Sequence, residues 1–287
     1  MTKCDKQKQT MKTIKTILIL CAALCFATSC KKEADMTLVQ KTVLENADIR
    51  EIEVSDGWQV TVVADSSTYV ELNYSAYLEP YVKAKMNDTH LELGFMLKTF
   101  PAINSEFRAT VHMRQLEKID AKTASKVTFT GSYNGERLYV NLTDASSCNA
   151  LTYTGDKCKI VMDAASKLLD FQFDGTACLA SLKQSSQFNG RIHATELLDL
   201  NLNGNSRFIN RGGETARADI KLHDGSILNM VETQVNKLYA ELSEASEATV
   251  WVTEYLKATL NDASTLYYKG NPLKDLACHD NSEVKPL

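Results

Sequence analysis

Eight copies of one short segment recur between residues 119 and 264. Each copy begins with alternating apolar and polar residues and ends in serine, and successive serines are 21, 20, 20, 20, 20, 20 and 18 residues apart. A unit this short cannot bury its own apolar face, so the copies must stack on one another. The closing serines are Ser125, Ser146, Ser166, Ser186, Ser206, Ser226, Ser246 and Ser264.

The alternation inside each copy predicts a strand with one buried face. Stacking such strands about 4.8 Å apart turns equivalent apolar positions into inward columns. An apolar residue usually returns two positions after the serine and predicts a second strand. We therefore expect an all-β fold, a parallel β-helix (β-solenoid) with coils of about 20 residues. One predicted column contains Ile119, Val140, Ile160, Ala180, Leu200, Ile220, Ala240 and Ala258.

The chain on either side of the repeats is less regular. Residues 45–118 alternate like strands around turn signals such as Ser55, Asp56 and Gly57. They predict N-terminal β-rich coils or a cap of the same body, because an uncovered solenoid end would invite edge pairing. We assign 119–270 to the regular solenoid repeats and 271–287 to a C-terminal cap and tail.

The N-terminus carries an export signal. Lys12 and Lys15 precede an apolar stretch that is too short to span a membrane comfortably. Small residues lead into Cys30, a pattern that resembles a bacterial lipobox. Residues 1–29 are thus predicted to be a lipoprotein signal peptide, with lipidation at Cys30 and a tether over 30–44. A plain secretory signal with an incidental cysteine is the alternative, and the start at Met1 or Met11 stays open.

Charge excludes some partners. Loss of residues 1–29 removes five Lys and one Asp, which changes the formal net charge from −4 to −8. An acidic chain without clustered Lys and Arg argues against nucleic acid and against electrostatic docking on anionic lipid. We expect membrane attachment through the N-terminal lipid, in an outer membrane lipoprotein that faces the cell surface or the periplasm.

Cysteine and histidine spacing predicts no metal centre and no cofactor. Four cysteines follow the anchor, without a CxxC pair. Cys158 and Cys178 occupy the same position in adjacent copies. Two alternatives remain open for them, a disulfide in an oxidising compartment or a pair of packed free thiols.

The outward positions of the repeats supply the candidate sites. Lys183, Asn203, Lys221 and His223 are neighbours in the predicted stack and form a candidate surface binding ladder for a glycan; a solvated sheet face is the alternative. No catalytic residue is assigned, since the histidine lacks a partnered nucleophile. A weaker metal candidate stacks three acids two residues before successive serines, where solvated corner acids are the alternative. These acids are Asp224, Glu244 and Asp262.

The lipobox, the irregular strand-rich section and the repeats together resemble the head GIN domain family, described as "putative auto-transporter adhesin" and common in Bacteroidota. Residues 118–125 are similar to that family's entry into the repeats. The resemblance covers about residues 45–275 and implies a β-helical surface or periplasmic protein without established catalytic residues. We thus expect a non-catalytic, lipid-anchored cell-envelope protein that binds a glycan or a surface protein.

Two other functions stay open at this stage. A polysaccharide lyase or hydrolase is the first, because β-helices also carry carbohydrate-active sites. A periplasmic structural or signalling partner is the second.

Overall fold

The computed structural model describes residues 35–96 and 107–287, and strands dominate both ranges. Within them the one helical element is a 3-10 turn at Ala76–Leu78, and no helix is long and apolar enough to cross a membrane. The predicted signal peptide and Cys30 lie outside the described residues. The N-terminal strands are β1 (Leu38–Val43), β2 (Glu51–Val54), β3 (Gln59–Ala64), β4 (Tyr69–Ser75), β5 (Val82–Asn87), β6 (His90–Phe95) and β7 (Phe107–Met113).

The remaining strands belong to stacked parallel coils. They are β8 (Lys118–Ala121), β9 (Lys126–Thr130), β10 (Ser132–Leu142), β11 (Ser147–Asn149), β12 (Thr152–Met162), β13 (Lys167–Leu182), β14 (Gln187–Leu202), β15 (Arg207–Asn210), β16 (Glu214–Leu222), β17 (Ile227–Leu242), β18 (Glu247–Leu260), β19 (Thr265–Lys269), β20 (Leu273–Cys278) and β21 (Glu283–Pro286). The β-solenoid has about 8 turns with coils roughly 20 residues apart, so the predicted fold is confirmed.

Each coil contains three extended segments. In β13 and its surroundings, register shifts between Leu169 and Phe171 and between Gly175 and Ala177 mark two of the bends. The third bend, which we call the corner, lies between the first segment and the buried serine that opens the second. A single coil therefore has three outward faces, and we call the face formed by the segments before the corner the first face.

The corner has a fixed backbone conformation. Two consecutive residues adopt positive φ in each coil, for example Asp144 and Ala145 at 53° and 59°. The second of them donates its N–H to the carbonyl of the first in the next coil, as from Ala145 to Ala164 over 2.8 Å. Small, Asp, Asn and Gly residues suit these positions because side chains crowd the backbone there. The backbone bonds thus stack the corners as a ladder of their own.

The interior is filled by columns of equivalent residues. The column predicted from Ile119 to Ala258 is buried throughout, and so are all eight serines of the repeat. Aromatic side chains fill part of the remaining space, with Phe188 stacked on Phe208 at a centroid distance of 4.2 Å. The serines are therefore part of the packed interior.

The N-terminal strands do not stack in chain order. β2 lies between β6 and β8, and β3 lies between β7 and β9, all in parallel register. The outer strands are antiparallel: β5 pairs with β6, while β4 pairs with both β7 and β1. The N-terminal section thus combines parallel coils with antiparallel strands, which cover edges that the parallel coils would leave open.

Two predicted boundaries need correction. The tether was expected to continue to residue 44, but Leu38–Val43 forms β1, which pairs with β4 and extends the antiparallel layer by backbone hydrogen bonds. Residues 271–287 were expected to form a cap and tail. Instead β20 and β21 continue the parallel register from β18 and β19, with the same corner and a further buried serine, Ser282.

Candidate functional site

Outward side chains of the first face stand in columns that run from coil to coil. Parallel pairing places Asp219 beside Tyr239 and Tyr239 beside Lys257. The neighbouring columns hold Arg217 with Lys237 and Lys221 with Glu241. Residues 20 apart in the chain, or 18 apart between Tyr239 and Lys257, thus become direct neighbours on the surface.

A concave site of about 340 Å³ lies around Tyr239, and we call it the Tyr239 cleft. The guanidinium of Arg217 lies 4.5 Å from the centroid of the Tyr239 ring, and Tyr255 meets that ring edge-on at 6.0 Å. The polar side chains that line the cleft are Arg217, Asp219, Lys221, Tyr239, Glu241, Lys257 and Thr259.

Ion pairs connect the charged groups of this cleft. Arg217 Nε lies 2.8 Å from Asp219 Oδ1, and Lys221 Nζ lies 3.0 Å from Glu241 Oε2. The hydrogen bond to Asp219 raises the pKa of Arg217, and the one to Glu241 raises the pKa of Lys221. These partners hold the cations in place and leave hydrogen-bond donors and acceptors at the rim of an aromatic surface.

Asp199 extends the same column towards the N-terminus, next to Asp219. Burial raises the pKa of the Asp199 carboxyl, and the Asp219 carboxylate raises it further. This carboxyl is therefore easier to protonate than an ordinary aspartate, and its neighbour Asp219 accepts a hydrogen bond from Arg217.

A larger concavity of about 1060 Å³, the Tyr139 groove, lies nearer the N-terminus of the first face. Tyr139 and residues 115–117 line it. The charged side chains that line it are Arg50, Glu51, Glu117, Lys118, Glu136, Arg137, Lys157 and Lys159.

The structure divides the predicted binding ladder into two places. Lys183, Asn203 and His223 stack at the corner, where their carbonyls accept hydrogen bonds from the hydroxyls of the buried serines. His223 is half-buried, with Nδ1 2.7 Å from Ser243 Oγ. Lys221 lies on the first face and belongs to the Tyr239 cleft.

The tyrosines of the first face were missed from the sequence. Tyr139 and Tyr239 stand seven residues before a buried serine, at an outward position next to the columns that were considered. The available signal was their identical place in the repeat, which puts both on the same face.

The three candidate metal ligands occupy corner positions. Asp224, Glu244 and Asp262 have φ values of 53°, 56° and 54°, and each is the first left-handed residue of its corner. The Glu244 carboxylate accepts the backbone N–H of Asp224 at 3.3 Å. Residues 35–96 and 107–287 contain no group of three or more His, Cys, Asp or Glu side chains placed to hold a metal ion.

Cys158 and Cys178 are buried free thiols opposite each other in adjacent coils. Burial, followed by the hydrogen bond with Cys178, raises the pKa of Cys158 well above its ordinary value. A thiol of raised pKa that solvent does not reach is a poor nucleophile. The sequence left open a disulfide or a pair of packed free thiols, and the structure has the packed free thiols.

The chain belongs to the family described as putative auto-transporter adhesin, head GIN domain, whose model matches residues 48–272. The family and its repeats were thus identified correctly from the sequence. No match was found among curated proteins.

Solved structures share the fold at low identity. A putative adhesin from Parabacteroides merdae superposes with a TM-score of 0.64 and 15% identity, and the match covers 88% of this chain and 98% of that one. A putative lipid binding protein from Parabacteroides distasonis gives a TM-score of 0.66 at 14% identity, with the same coverage. A putative adhesin from Parabacteroides distasonis gives 0.55 at 18%, again with 88% and 98% covered.

Proposed function

We propose that this chain is a non-catalytic, lipid-anchored protein of the cell envelope that binds a glycan or a surface protein through the first face. Membership of the head GIN family supports an adhesin-like role. The leader sequence before Cys30 supports export and lipidation at that cysteine. The proposed location is the outer membrane, with the solenoid facing the cell surface.

The observation that carries the binding role is the Tyr239 cleft. A tyrosine ring exposes an apolar face beside charged groups that their partners already orient. Binding sites combine such an apolar surface with a few placed polar groups. A sugar ring has a matching character, with a C–H face to lie on the aromatic ring and hydroxyls to exchange hydrogen bonds with Arg217, Asp219 and Glu241. A glycan is therefore the favoured ligand of the two.

The binding test uses the lipidated chain, purified from membranes in detergent, on a panel of neutral and charged oligosaccharides. Tyr239→Ala should reduce binding about tenfold or more, since it removes both the stacking surface and the support of Arg217. The matched control is Tyr267→Ala, a half-buried outward tyrosine on another face. Equal loss in both variants, or no glycan bound by the unaltered chain, would contradict the proposal.

Anchoring and location need their own experiment. Intact cells are treated with protease and blotted for the mature chain, beside a Cys30→Ala variant and metabolic labelling with a fatty acid. We expect fatty acid on the unaltered chain, none on the variant, and digestion without lysis. Protection until the outer membrane is opened would favour a periplasmic partner over an adhesin.

A further inference from the structure

We propose that the Tyr139 groove is a second glycan site and that it is selective for sugars bearing carboxylate or sulfate groups. This inference rests on the proposed function only in taking a glycan as the ligand, because the Tyr139 groove is formed by other residues than the Tyr239 cleft.

Tyr139 lies between two lysines in one column of the first face. The parallel register places Lys118 on one side and Lys159 on the other. Their ammonium nitrogens lie 6.0 and 5.6 Å from the centroid of the Tyr139 ring. A half-buried aromatic surface thus carries a positive charge at each side, at distances where cation–π attraction keeps the lysines near the ring.

A second pair of cations adjoins this column. Arg137 pairs in register with Lys157 in the next coil, two residues before Tyr139 and Lys159. Both side chains are exposed, and both line the groove. Four positive groups therefore line the groove together with Tyr139, in a chain whose formal net charge is −4.

These four cations differ from those of the Tyr239 cleft in having no acidic partner. Arg217, Lys221 and Lys257 pair with Asp219, Glu241 and Asp275. Within the part of the chain that the structure describes, Lys118, Arg137, Lys157 and Lys159 form no ion pair. Neighbouring like charges repel each other, so a bound anion would relieve repulsion as well as form new contacts.

Two of the three acids that line the groove already have a partner. Glu117 lies 3.4 Å from Arg50, and Glu51 lies 3.1 Å from His90. Glu136 also lines the groove and is next to Arg137 in the chain. The local balance therefore favours an anionic ligand over a cationic one.

Shape and apolar surface point to a sugar. The column continues from Lys159 to Leu179, whose side chain is 40% exposed. A volume of about 1060 Å³ has room for several sugar rings. A pyranose can lay its C–H face on Tyr139 and direct a carboxylate or sulfate at Lys118 or Lys159, which donate charge-assisted hydrogen bonds.

The test titrates the detergent-solubilised, lipidated chain with oligogalacturonate, with a sulfated dextran oligosaccharide and with neutral dextran oligosaccharide of equal length. We expect at least one anionic probe to bind, more tightly than the neutral one and less tightly as salt rises. Tyr139→Ala and Lys159→Gln should each weaken that binding about tenfold. Lys126→Gln is the matched control, an exposed lysine on another face, and should leave it unchanged. Thermal unfolding of each variant verifies the fold.

Several outcomes would overturn the inference. These are no salt-sensitive binding of either anionic sugar, equal loss in Lys126→Gln, or equally tight binding of polyglutamate or of phosphatidylglycerol vesicles. Tyr239→Ala separates this inference from the proposed function. If Tyr239→Ala abolishes binding of a neutral glycan and no anionic sugar binds the unaltered chain, the proposal for the Tyr239 cleft holds and that for the Tyr139 groove fails. If an anionic sugar binds as expected and Tyr239→Ala does not affect binding of a neutral glycan, only the proposal for the Tyr239 cleft fails.

Discussion

The N-terminal coil and the regular coils fill the same interior position with opposite kinds of side chain. Trp58 in the β2–β3 coil stands where the next coil has Ser125, since Gln59 pairs with Lys126. Both corners have two left-handed residues, Asp56 and Gly57 in one and Thr123 and Ala124 in the other. The backbone is therefore alike, and the side chain alone differs.

The difference follows from the neighbouring coil. Most serine corners lie between two similar corners, and the hydroxyls of Ser186, Ser206 and Ser226 reach backbone carbonyls there. Trp58 faces a coil in which Phe95 and Phe107 lie 5.6 and 5.9 Å from its ring. Its buried position there closes the serine column with an aromatic cluster. The residue that suits this interior position therefore depends on the coils on both sides, and it differs where one of those coils differs.

The largest expected effect comes from converting the exceptional coil into a regular one. Trp58→Ser should cost about 3–5 kcal/mol, because it leaves a cavity between the two phenylalanines. Phe208→Ala should cost a similar amount in the regular coils, since Phe208 stacks on Phe188. Urea unfolding measures both losses. Hydrogen exchange should localise the first to β3 and β7, and uniform exchange would mean that the two regions unfold as one.

A smaller effect is expected at the bend between the third and first segments of the regular coils. A Cβ at Gly175 would lie 1.9 Å from the carbonyl oxygen of Gly155 in the coil beneath, so Gly175→Ala should cost about 3 kcal/mol. Gly212 is the control. Its φ is +94° but its nearest atom is 4.0 Å away, so Gly212→Ala should cost only about 1 kcal/mol of backbone strain. Similar melting temperatures for the two variants would contradict the close stacking.

Two members of the serine column should respond differently to alanine. Ser226 Oγ donates to the carbonyl of His223 at 2.7 Å, so Ser226→Ala should cost about 1 kcal/mol. The buried Ser246 hydroxyl has no hydrogen-bond partner, so Ser246→Ala should be neutral or slightly stabilising. Equal losses in chemical denaturation would show that the column acts through packing alone.

The smallest effects concern charge and have opposite signs in the two regions. A hydrogen bond from Lys83 lowers the pKa of Glu92 in the N-terminal section, so that carboxylate stabilises the fold above the ordinary glutamate pKa and loses this effect as the pH falls. Burial and Asp219 raise the pKa of Asp199, so its ionisation destabilises the fold as the pH rises.

At neutral pH, Glu92→Gln should therefore lower the melting temperature slightly, and Asp199→Asn should raise it slightly. Scanning calorimetry should show that both differences vanish in strong acid, where all carboxyls are protonated. A lower melting temperature for Asp199→Asn at neutral pH would contradict the argument that ionised Asp199 destabilises the fold.

The regular coils could be predicted from the sequence because every coil repeats the environment of the last. The serines and the column from Ile119 to Ala258 followed directly from spacing. The placement of β2 between β6 and β8 could not be predicted, since strand alternation shows which face is buried but does not show which strand lies alongside.

The site was predictable only in part for a related reason. The repeat register was enough to place Lys221 on an outward face. The cleft, however, combines side chains from three columns, and the register does not show which of them come together. Whether Arg217 turns towards Tyr239 or towards solvent depends on local packing, which spacing does not encode. Lys183, Asn203 and His223 share a column at the corner, so adjacency in the repeat did not bring them into the cleft.

The insertion of β2 between β6 and β8 has a consequence for how the chain reaches its final state. The β2–β3 coil cannot complete its pairing until β6, β7, β8 and β9 have joined it. Such distant contacts slow folding, whereas the later coils can add one after another onto a formed edge. Because a chain is synthesised from its N-terminus, the earliest strands must therefore wait unpaired. The assembly of this solenoid should begin in its middle and finish at its N-terminal end.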